Sequence, residues 1–342
     1  MSDPNNKKVV IAALAGNLAI ATCKFAAAFI SGSTATLAEA VHSVADSGNQ
    51  LLLLVGIHLS KKPATERFAF GRAAELYFWP FVVALMLFSI GGAFGIYEGI
   101  SHLMAPKHDE VAMLSFTAFG HAFSFPSNWV NYAVLGASAF FEAMSFRVAF
   151  REFKVLARGR SYKDAVLDAR DPTIPLVLVE DMTALLGLTI ALIAVILRGI
   201  TGHAFWDALG SLVIGLLLGV VAFTLARVTH ALLIGASATT EEQAHALKIA
   251  EETEGVEKVT QLLTLHLGPD VIVLAMKIAF TSELKAREIE DITNEIERRI
   301  RKAIPKMRKI FIEVDSHGDM RGIKAARAVL ESGRDVTREA EP

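Results

Sequence analysis

The stretch Thr36–His58 reads TLAEAVHSVADSGNQLLLLVGIH, and it decides the fold. Its length suits one helical crossing of a bilayer, which needs about 20 predominantly apolar residues. It also carries Glu39, His42 and Asp46, whose spacings of three and four residues put them on one face of a helix. Ionisable side chains are costly inside a bilayer, so they mark this span as functional. With a rise of about 1.5 Å per residue, Asp46 lies near the bilayer midplane.

Five further apolar stretches resemble this one in length. The chain of 342 residues is 53% hydrophobic and only 20% charged, whereas soluble domains carry about 25% charged residues. This composition excludes a purely soluble enzyme and a disordered protein. Cys23 is the only cysteine, which excludes a disulfide scaffold. The sequence predicts six transmembrane helices, at Val9–Ile30, Thr36–His58, Leu76–Leu103, Trp129–Phe150, Thr173–Leu197 and Phe205–Leu233.

The last hundred or so residues read as an ordinary folded domain. Amphipathic helices are predicted at Thr240–Thr253 and Leu284–Ala303. Strands are predicted at Val256–Leu267, Val271–Phe280 and Lys309–Val314. The order αββαβ indicates a small α+β domain with helices on one face of the sheet. The predicted fold is therefore a polytopic α-helical membrane protein: a six-helix transmembrane domain at 1–238, an α+β domain at 239–316 and a polar, flexible tail at 317–342.

The Lys and Arg residues of the short loops are concentrated on one side of the predicted membrane. By the positive-inside rule, both termini are predicted to be cytoplasmic. The short, weakly charged start Met1–Lys8 favours a bacterial inner membrane. The net charge of −2 gives no indication of nucleic-acid binding.

Two adjacent acids, Glu180 and Asp181, lie inside the fifth predicted span. Neighbouring residues differ by about 100° around a helix, so these carboxylates cannot point the same way. Together with His42 and Asp46 of the second span, they supply ligands that suit Zn²⁺, Mn²⁺ or Fe²⁺. Several carboxylates in a low dielectric are unfavourable without a divalent cation or bound protons. One interpretation is that these groups pair with one another and hold the helix bundle together. The other is that metal and protons exclude each other at this site, which is a physical basis for exchanging metal against protons.

The segment Gly32–Gln50 resembles the second span of the cation diffusion facilitator family. Shorter pieces elsewhere also resemble that family: Asn17 and Lys24, Phe70-Gly71-Arg72, Asp207 to Ser211, and Gly268-Pro269-Asp270. Within the family, Arg170-Asp171-Pro172 and Val177–Asp181 resemble the zinc transporter nine-like branch.

The resemblance implies a homodimeric, proton-coupled efflux antiporter with a metallochaperone-like cytoplasmic domain. It is not an enzyme and has no prosthetic group; the divalent metal is its substrate and H⁺ its counter-ion. Metal is expected to bind at His42, Asp46 and Asp181. Glu180 and Asn17 are candidates to complete the ligand shell, and Glu39 is a candidate ligand on the exit path.

One departure from the family bears on the metal. Most zinc-transporting members have a second His-x3-Asp pair in the fifth span, and Val177 stands at that histidine position. A single imidazole, at His42, leaves zinc as the first expectation, with Mn²⁺, Fe²⁺ and Cd²⁺ open.

A second departure lies in the α+β domain. Glu313 and Asp315 match ligand positions of the family's binuclear zinc cluster. The histidines that would join them are replaced by Thr260, Met276 and a residue near Ile289, so that cluster is expected to be absent or weaker. His266 and His317 could serve as ligands instead, but a lone surface histidine is more often simply solvated, and they are interpreted in that way.

Three other functions are compatible with a membrane protein of this pattern. The main alternative is a transport-inactive metal sensor or scaffold that acts through its cytoplasmic domain. An intramembrane hydrolase using His42 and Asp46 would need a nucleophile with a base and an orienting group, and none is evident. A carrier of small organic solutes often shows inverted repeats, and no convincing repeat is found.

Overall fold

The computed structural model describes residues 4–31, 34–104, 113–118, 121–126, 128–157, 161–167, 169–203, 205–315 and 323–332. The chain forms two compact units. One, here called the transmembrane unit, comprises Asp3–Leu59 and Leu76–His230. The other, the C-terminal unit, comprises Ser60–Glu75 and Ala231–Pro342, together with Met1–Ser2.

Long helices make up most of the transmembrane unit. Their bounds are α1 Pro4–Ser31, α2 Thr34–Ser60, α3 Glu75–Met86, α4 Phe94–Met104, α5 Asn128–Ala157, α6 Tyr162–Leu167, α7 Thr173–Thr201 and α8 Phe205–Leu233. A π-helical segment, Leu87–Ala93, joins α3 to α4, so these three pieces form one span. The six predicted spans thus correspond to α1, α2, α3–α4, α5, α7 and α8.

Apolar composition separates these spans into two groups. Four stretches of the described residues are long and apolar enough to cross a membrane: Lys7–Ala26, Glu75–Met104, Thr173–Arg198 and Ala208–Leu233. The other two predicted spans, α2 and α5, have 27 and 30 residues and carry more polar and ionisable side chains. Polar residues in a span face the bundle interior, so α2 and α5 are the helices expected to line a site.

A hairpin that the sequence analysis did not predict follows the third span. Strand β1, Met113–Ala118, pairs antiparallel with β2, His121–Pro126, and Ser115 lies opposite Ser124. The stretch is short and rich in small residues, so its alternation was too weak to indicate strands.

The helices pack in two ways. α1, α5 and α7 pack against one another, and the core around them includes Val10, Phe153 and Val177. The third span instead meets α8 through glycines: a Cβ on Gly99 would lie 2.6 Å from the backbone nitrogen of Leu212. Small residues let transmembrane helix backbones approach this closely.

The C-terminal unit contains the predicted α+β domain. Its elements are α9 Thr240–Glu251, β3 Val256–Gly268, β4 Val271–Phe280, α10 Ala286–Ala303, β5 Met307–Val314 and α11 Ile323–Glu331. The sheet order is β3-β4-β5, with β4 antiparallel to β3 and parallel to β5. Alternate residues of β4, such as Leu274 and Met276, are buried in the core with Ile296 and Ile300 of α10. The predicted fold class, a helical membrane region followed by an αββαβ domain, is confirmed.

The helix α11 corrects the expectation of a flexible tail after residue 316. Ile323 and Ala326 are fully buried in the domain core, and Arg327 forms an ion pair with Glu251 of α9. The apolar stripe of α11 is short and lies in a polar stretch, so the sequence pattern did not indicate a helix. The helix is stabilised by packing on α9 rather than by its own helical propensity. Residues 316–322 and 333–342 lie outside the described residues.

Candidate functional site

Ionisable side chains of four helices lie near one another inside the transmembrane unit. Lys24 of α1, Glu142 of α5 and Asp181 of α7 are each less than one-tenth exposed, at 7%, 9% and 2%. Asp46 of α2 and Glu180 of α7 are half-buried. The close packing of α1, α5 and α7 places these groups in the interior of the helix bundle.

Electrostatic contacts connect these groups. The Glu142 carboxylate lies within Coulombic range of Asp181, Asp46 and the Lys24 ammonium. The Glu180 carboxylate lies within range of Asp46, Asp181 and Glu142. Four carboxylates and one ammonium therefore form a single cluster, here called the acidic cluster. Like charges in a low dielectric repel strongly, so such a cluster is stabilised by a cation or by protons.

The Glu180 carboxylate is held by two amides of the second span. Asn49 Nδ2 donates to Glu180 Oε1 at 3.2 Å, and Gln50 Nε2 donates to Glu180 Oε2 at 2.9 Å. Asn49 and Gln50 are 4% and 0% exposed. Hydrogen bonds to a charged acceptor are among the stronger ones in proteins, so this contact joins α2 to α7.

The Asp181 carboxylate points to a different helix. Ser145 Oγ of α5 donates to Asp181 Oδ2 at 2.7 Å, and both side chains are buried. Among the described residues, Asp181 Oδ1 accepts no hydrogen bond. The two adjacent acids of the fifth span thus diverge, one toward α2 and one toward α5, as their separation around the helix requires.

The other predicted site residues have varied positions. Asn17 is buried on α1, next to Gly16, which packs on Phe141 and Ser145 of α5. Val177 is completely buried, one turn before Asp181 on the same helix. The side chains of Glu39 and His42 lie outside the described residues, so their place in the site stays a prediction.

Glu142, Ser145 and Gln50 join the site although the sequence analysis did not assign them to it. A signal was available, because Glu142 and Ser145 are three residues apart and share one face of α5. This shared face indicates a place in the site only once α5 is known to pack on α7, the helix that carries Glu180 and Asp181.

The expected metal positions of the α+β domain have other partners. Lys277 Nζ lies 3.3 Å from Glu313 Oε2 and 3.8 Å from Asp315 Oδ2. Thr260 Oγ1 donates to the carbonyl oxygen of Lys277 at 3.2 Å, and Met276 is buried in the core. One ammonium is therefore shared between the two acids that the family resemblance marked as ligands, and it offsets part of their negative charge.

The histidines of this domain do not converge on those acids in the described part of the chain. His266 is 3% exposed, and its Nδ1 lies 3.2 Å from the carbonyl oxygen of Gly268. It is therefore a buried histidine, which corrects its interpretation as a solvated one; His317 lies outside the described residues. Among the residues that the structure describes, no three His, Cys, Asp or Glu side chains are arranged as a metal site.

Comparison with known proteins identifies the family. The model of the cation efflux transmembrane domain matches residues 10–234. The model of the cation efflux protein, cytoplasmic domain, matches residues 238–317. The chain belongs to the cation efflux family. The resemblance to cation diffusion facilitators is thereby confirmed, and the chain is an integral, multi-pass membrane protein of a family of cation efflux transporters, which is not a family of enzymes.

Three relatives indicate the breadth of this family. Metal tolerance protein C4 of Arabidopsis thaliana is 28% identical over 325 residues, which are 93% of this chain and 65% of that protein. The mitochondrial proton-coupled zinc antiporter SLC30A9 of Homo sapiens is 28% identical over 282 residues, 82% of this chain and 47% of that protein. Magnetosome protein MamB of Magnetospira sp. (strain QH-2) is 24% identical over 298 residues, 87% of this chain and 91% of that protein. This cation efflux protein thus spans about half to two thirds of the first two relatives.

Proposed function

We propose that this cation efflux protein exports divalent metal from the cytoplasm in exchange for protons, by alternating access. The metal is held between the second and fifth spans by Asp46, Asp181 and His42. The observation that carries the proposal is the acidic cluster, in which buried or half-buried carboxylates of α2, α5 and α7 lie within Coulombic range of one another. A relative that is a proton-coupled zinc antiporter supports the same activity.

The acidic cluster supplies a physical basis for exchange. Its four carboxylates outnumber its one ammonium by three charges, so a bound divalent cation offsets most of the negative charge and protons offset the remainder. When the site opens to the other side, protons replace the metal, because both occupants satisfy the same negative charge. Metal and protons therefore bind in turn, and the carrier need not return with uncompensated charge in the membrane.

The two fifth-span acids have separate roles in this proposal. Asp181 is a metal ligand, since only Ser145 holds its carboxylate among the described residues and one oxygen remains for a cation. Glu180 is a positioning residue, since both of its oxygens accept hydrogen bonds from Asn49 and Gln50. Its contact sets the spacing of α2 and α7, and rearrangement of that contact accompanies opening and closing.

Zinc is the first candidate for the metal, with Mn²⁺, Fe²⁺ and Cd²⁺ as alternatives. The completely buried Val177 supplies no imidazole at the position where most zinc-transporting members have one. The remaining ligands are then mainly oxygen, which Mn²⁺ and Fe²⁺ accept more readily than Zn²⁺. Asn17 and Glu39 are the further candidates to complete the shell or the exit path.

The assembly and location are part of the same proposal. The protein forms a homodimer in which the α+β domain takes part, as the match to the cytoplasmic domain of cation efflux proteins supports. Both termini face the cytoplasm, and the host is a bacterial inner membrane. The concentration of Lys and Arg in the loops on one side supports this orientation.

Metal-stimulated proton flux in proteoliposomes tests the proposed function. Purified protein is assayed with Zn²⁺, Mn²⁺, Fe²⁺ and Cd²⁺ side by side. We expect saturable flux in the wild type, its loss in Asp46→Ala, and wild-type flux in the control Asp291→Ala, which alters an exposed acid of α10. Wild-type flux in Asp46→Ala would refute the assigned site.

Two further outcomes separate the alternatives. A folded, metal-binding wild type that transports none of the four ions supports the sensor or scaffold function instead. Val177→His tests the reason for metal choice: we expect the ratio of zinc to manganese flux to rise. An unchanged ratio means that residue 177 does not contribute to the site.

A further inference from the structure

The Ser60–Glu75 segment joins the second span to the third but folds with the α+β domain. It is itself well structured. Thr65 and Phe68 exchange two backbone hydrogen bonds, at 3.2 and 3.0 Å, and Gly71 N donates to Phe68 O at 2.9 Å. The Arg72 guanidinium lies 5.0 Å from the centre of the Phe68 ring. The segment therefore presents fixed side chains rather than a flexible connection.

Two contacts attach the segment to the sheet. The Phe70 ring is edge-on to the Phe311 ring of β5, with centroids 6.5 Å apart and planes at 70°. Ala73 lies against Gly268 at the end of β3: a Cβ on Gly268 would be 2.5 Å from Ala73 Cβ and 3.0 Å from its carbonyl oxygen. Only glycine permits so close an approach at this position.

The surface that receives these contacts is the face of the sheet opposite its helices. Leu263 of β3, Ala275 of β4 and Phe311 of β5 lie side by side across the strands. Leu263, Leu265 and Phe311 are 47%, 38% and 53% exposed. Leu263, Leu265, Ala275 and Phe311 therefore form a strip of apolar side chains, here called the apolar strip, which the described residues cover only partly. Apolar strips of this kind are typical of interaction surfaces.

We propose that this apolar strip is a docking surface for the Ser60–Glu75 segment, and that docking constrains the ends of the second and third spans. The segment follows Leu59 and precedes Leu76 directly, so its position on the sheet fixes where both spans begin or end. The second span carries Asp46. The linker after the sixth span is also attached to the sheet, because His266 N donates to Ala236 O at 2.9 Å. The segment and this linker, which are continuous in the chain with three spans, thus both contact the sheet within the C-terminal unit.

Amide hydrogen exchange of the full-length protein tests the docking without requiring transport. Removing the edge-on ring in Phe311→Ala should make the Phe68 and Gly71 amides exchange about two- to tenfold faster, the range expected for one aromatic pair. Phe70→Ala should have the same effect, and the double variant should add nothing further. The matched control is Val314→Ala, which removes a similarly exposed apolar side chain from the same strand. Unchanged exchange in Phe311→Ala, or an equal increase in Val314→Ala, overturns the docking.

A pair of small-residue variants tests the second contact. Gly268→Ala should displace Ala73 and accelerate exchange in the segment, because the added methyl group would overlap Ala73. The backbone of Gly268 is not left-handed, so alanine adopts it without strain. Combining this change with Ala73→Gly should restore part of the protection. Failure of this rescue, with the domain folded, counts against the close contact.

The transport consequence rests on the proposed function and is measured separately. Phe311→Ala should lower metal-stimulated proton flux several-fold while leaving the metal Kd unchanged. Faster exchange with wild-type flux would overturn the constraint on the spans. If the wild type itself shows no flux, the proposed function fails, and hydrogen exchange alone still decides whether the segment docks.

Discussion

At the scale of single residues, two adjacent carboxylates have different environments. Glu180 accepts two amide hydrogen bonds from the second span, whereas Asp181 accepts one hydroxyl from the fourth. Both oxygens of Glu180 are engaged, which suits a group that holds helices together. Among the described residues, the other oxygen of Asp181 accepts no hydrogen bond, which suits the metal-ligand role proposed for it. The proposed difference in role between the two acids therefore rests on their neighbours on other helices.

The Ser145 hydroxyl provides a test of this assignment. Ser145→Ala removes the donor to Asp181 Oδ2 and leaves a buried carboxylate less well satisfied. A hydrogen bond to a charged group contributes about 1.5–3 kcal/mol, so the Kd for Zn²⁺ should rise about tenfold or more by isothermal titration calorimetry. Ser138→Ala is the matched control, since Ser138 is also buried on α5 but its hydroxyl has no hydrogen bond to the described residues. Equal Kd values for the two variants contradict a role for Ser145.

At the scale of elements, the third span and α8 pack through glycines on both helices. A Cβ on Gly215 would lie 2.5 Å from the nitrogen of Ile96, and one on Gly92 would lie 3.0 Å from Gly219 Cα. Backbones this close gain dispersion contacts, which replace the hydrophobic driving force that is missing between helices in lipid. The π-helical segment Leu87–Ala93 lies in the same interface. We expect these two spans to move as one body.

Gly99→Ala should loosen this pair of helices. The added Cβ would lie 2.6 Å from Leu212 N and 2.8 Å from its Cα. Both are backbone atoms of α8, so the overlap cannot be relieved by a side-chain rotation. Overpacking of this kind costs about 1–3 kcal/mol, so thermal unfolding of the purified protein should occur at a lower Tm. Gly136→Ala has no neighbour within 4 Å and should leave Tm unchanged or higher. A lower Tm in Gly136→Ala alone would refute this explanation.

At the scale of the whole molecule, stability also depends on ionisable groups that do not belong to the acidic cluster. Burial lowers the pKa of His245 in α9, the nearby Lys248 lowers it further, and Glu252 opposes both. The Nδ1 atom of His245 has no hydrogen-bond partner among the described residues. The folded state therefore binds a proton at His245 less readily than the unfolded state.

This difference makes unfolding depend on pH. The folded pKa of His245 lies below the ordinary value of 6.5, so its contribution to stability is complete above that pH. It is lost as the pH falls below 6.5 through the lowered pKa. In calorimetry of the full chain, His245→Gln should flatten the decrease in Tm on acidification, whereas His203→Gln, at an exposed histidine, should not. An identical pH dependence in wild type and His245→Gln excludes this contribution.

The sequence alone determined the elements and most of the polar groups of the site. Hydropathy and charge over some 20 residues are local properties, so six spans and the αββαβ order were predictable. The spacing of Glu39, His42 and Asp46, and the divergence of Glu180 and Asp181, followed from the helical repeat. The helix α11 was missed because its apolar stripe is short. The stripe is stabilised by packing into the core of the α+β domain, a contact that the local sequence does not show.

Only the tertiary structure decided which side chains meet. Glu142 and Ser145 join the candidate site because α5 packs on α7, and Lys277 forms ion pairs with Glu313 and Asp315 because β4 and β5 are neighbours. The association of Ser60–Glu75 with the sheet is likewise a long-range contact. Such pairings join residues far apart in the chain. A hydropathy pattern is a local property and does not predict which distant residues come into contact. The physical reason is that periodicity determines the face of an element, whereas packing determines what that face contacts.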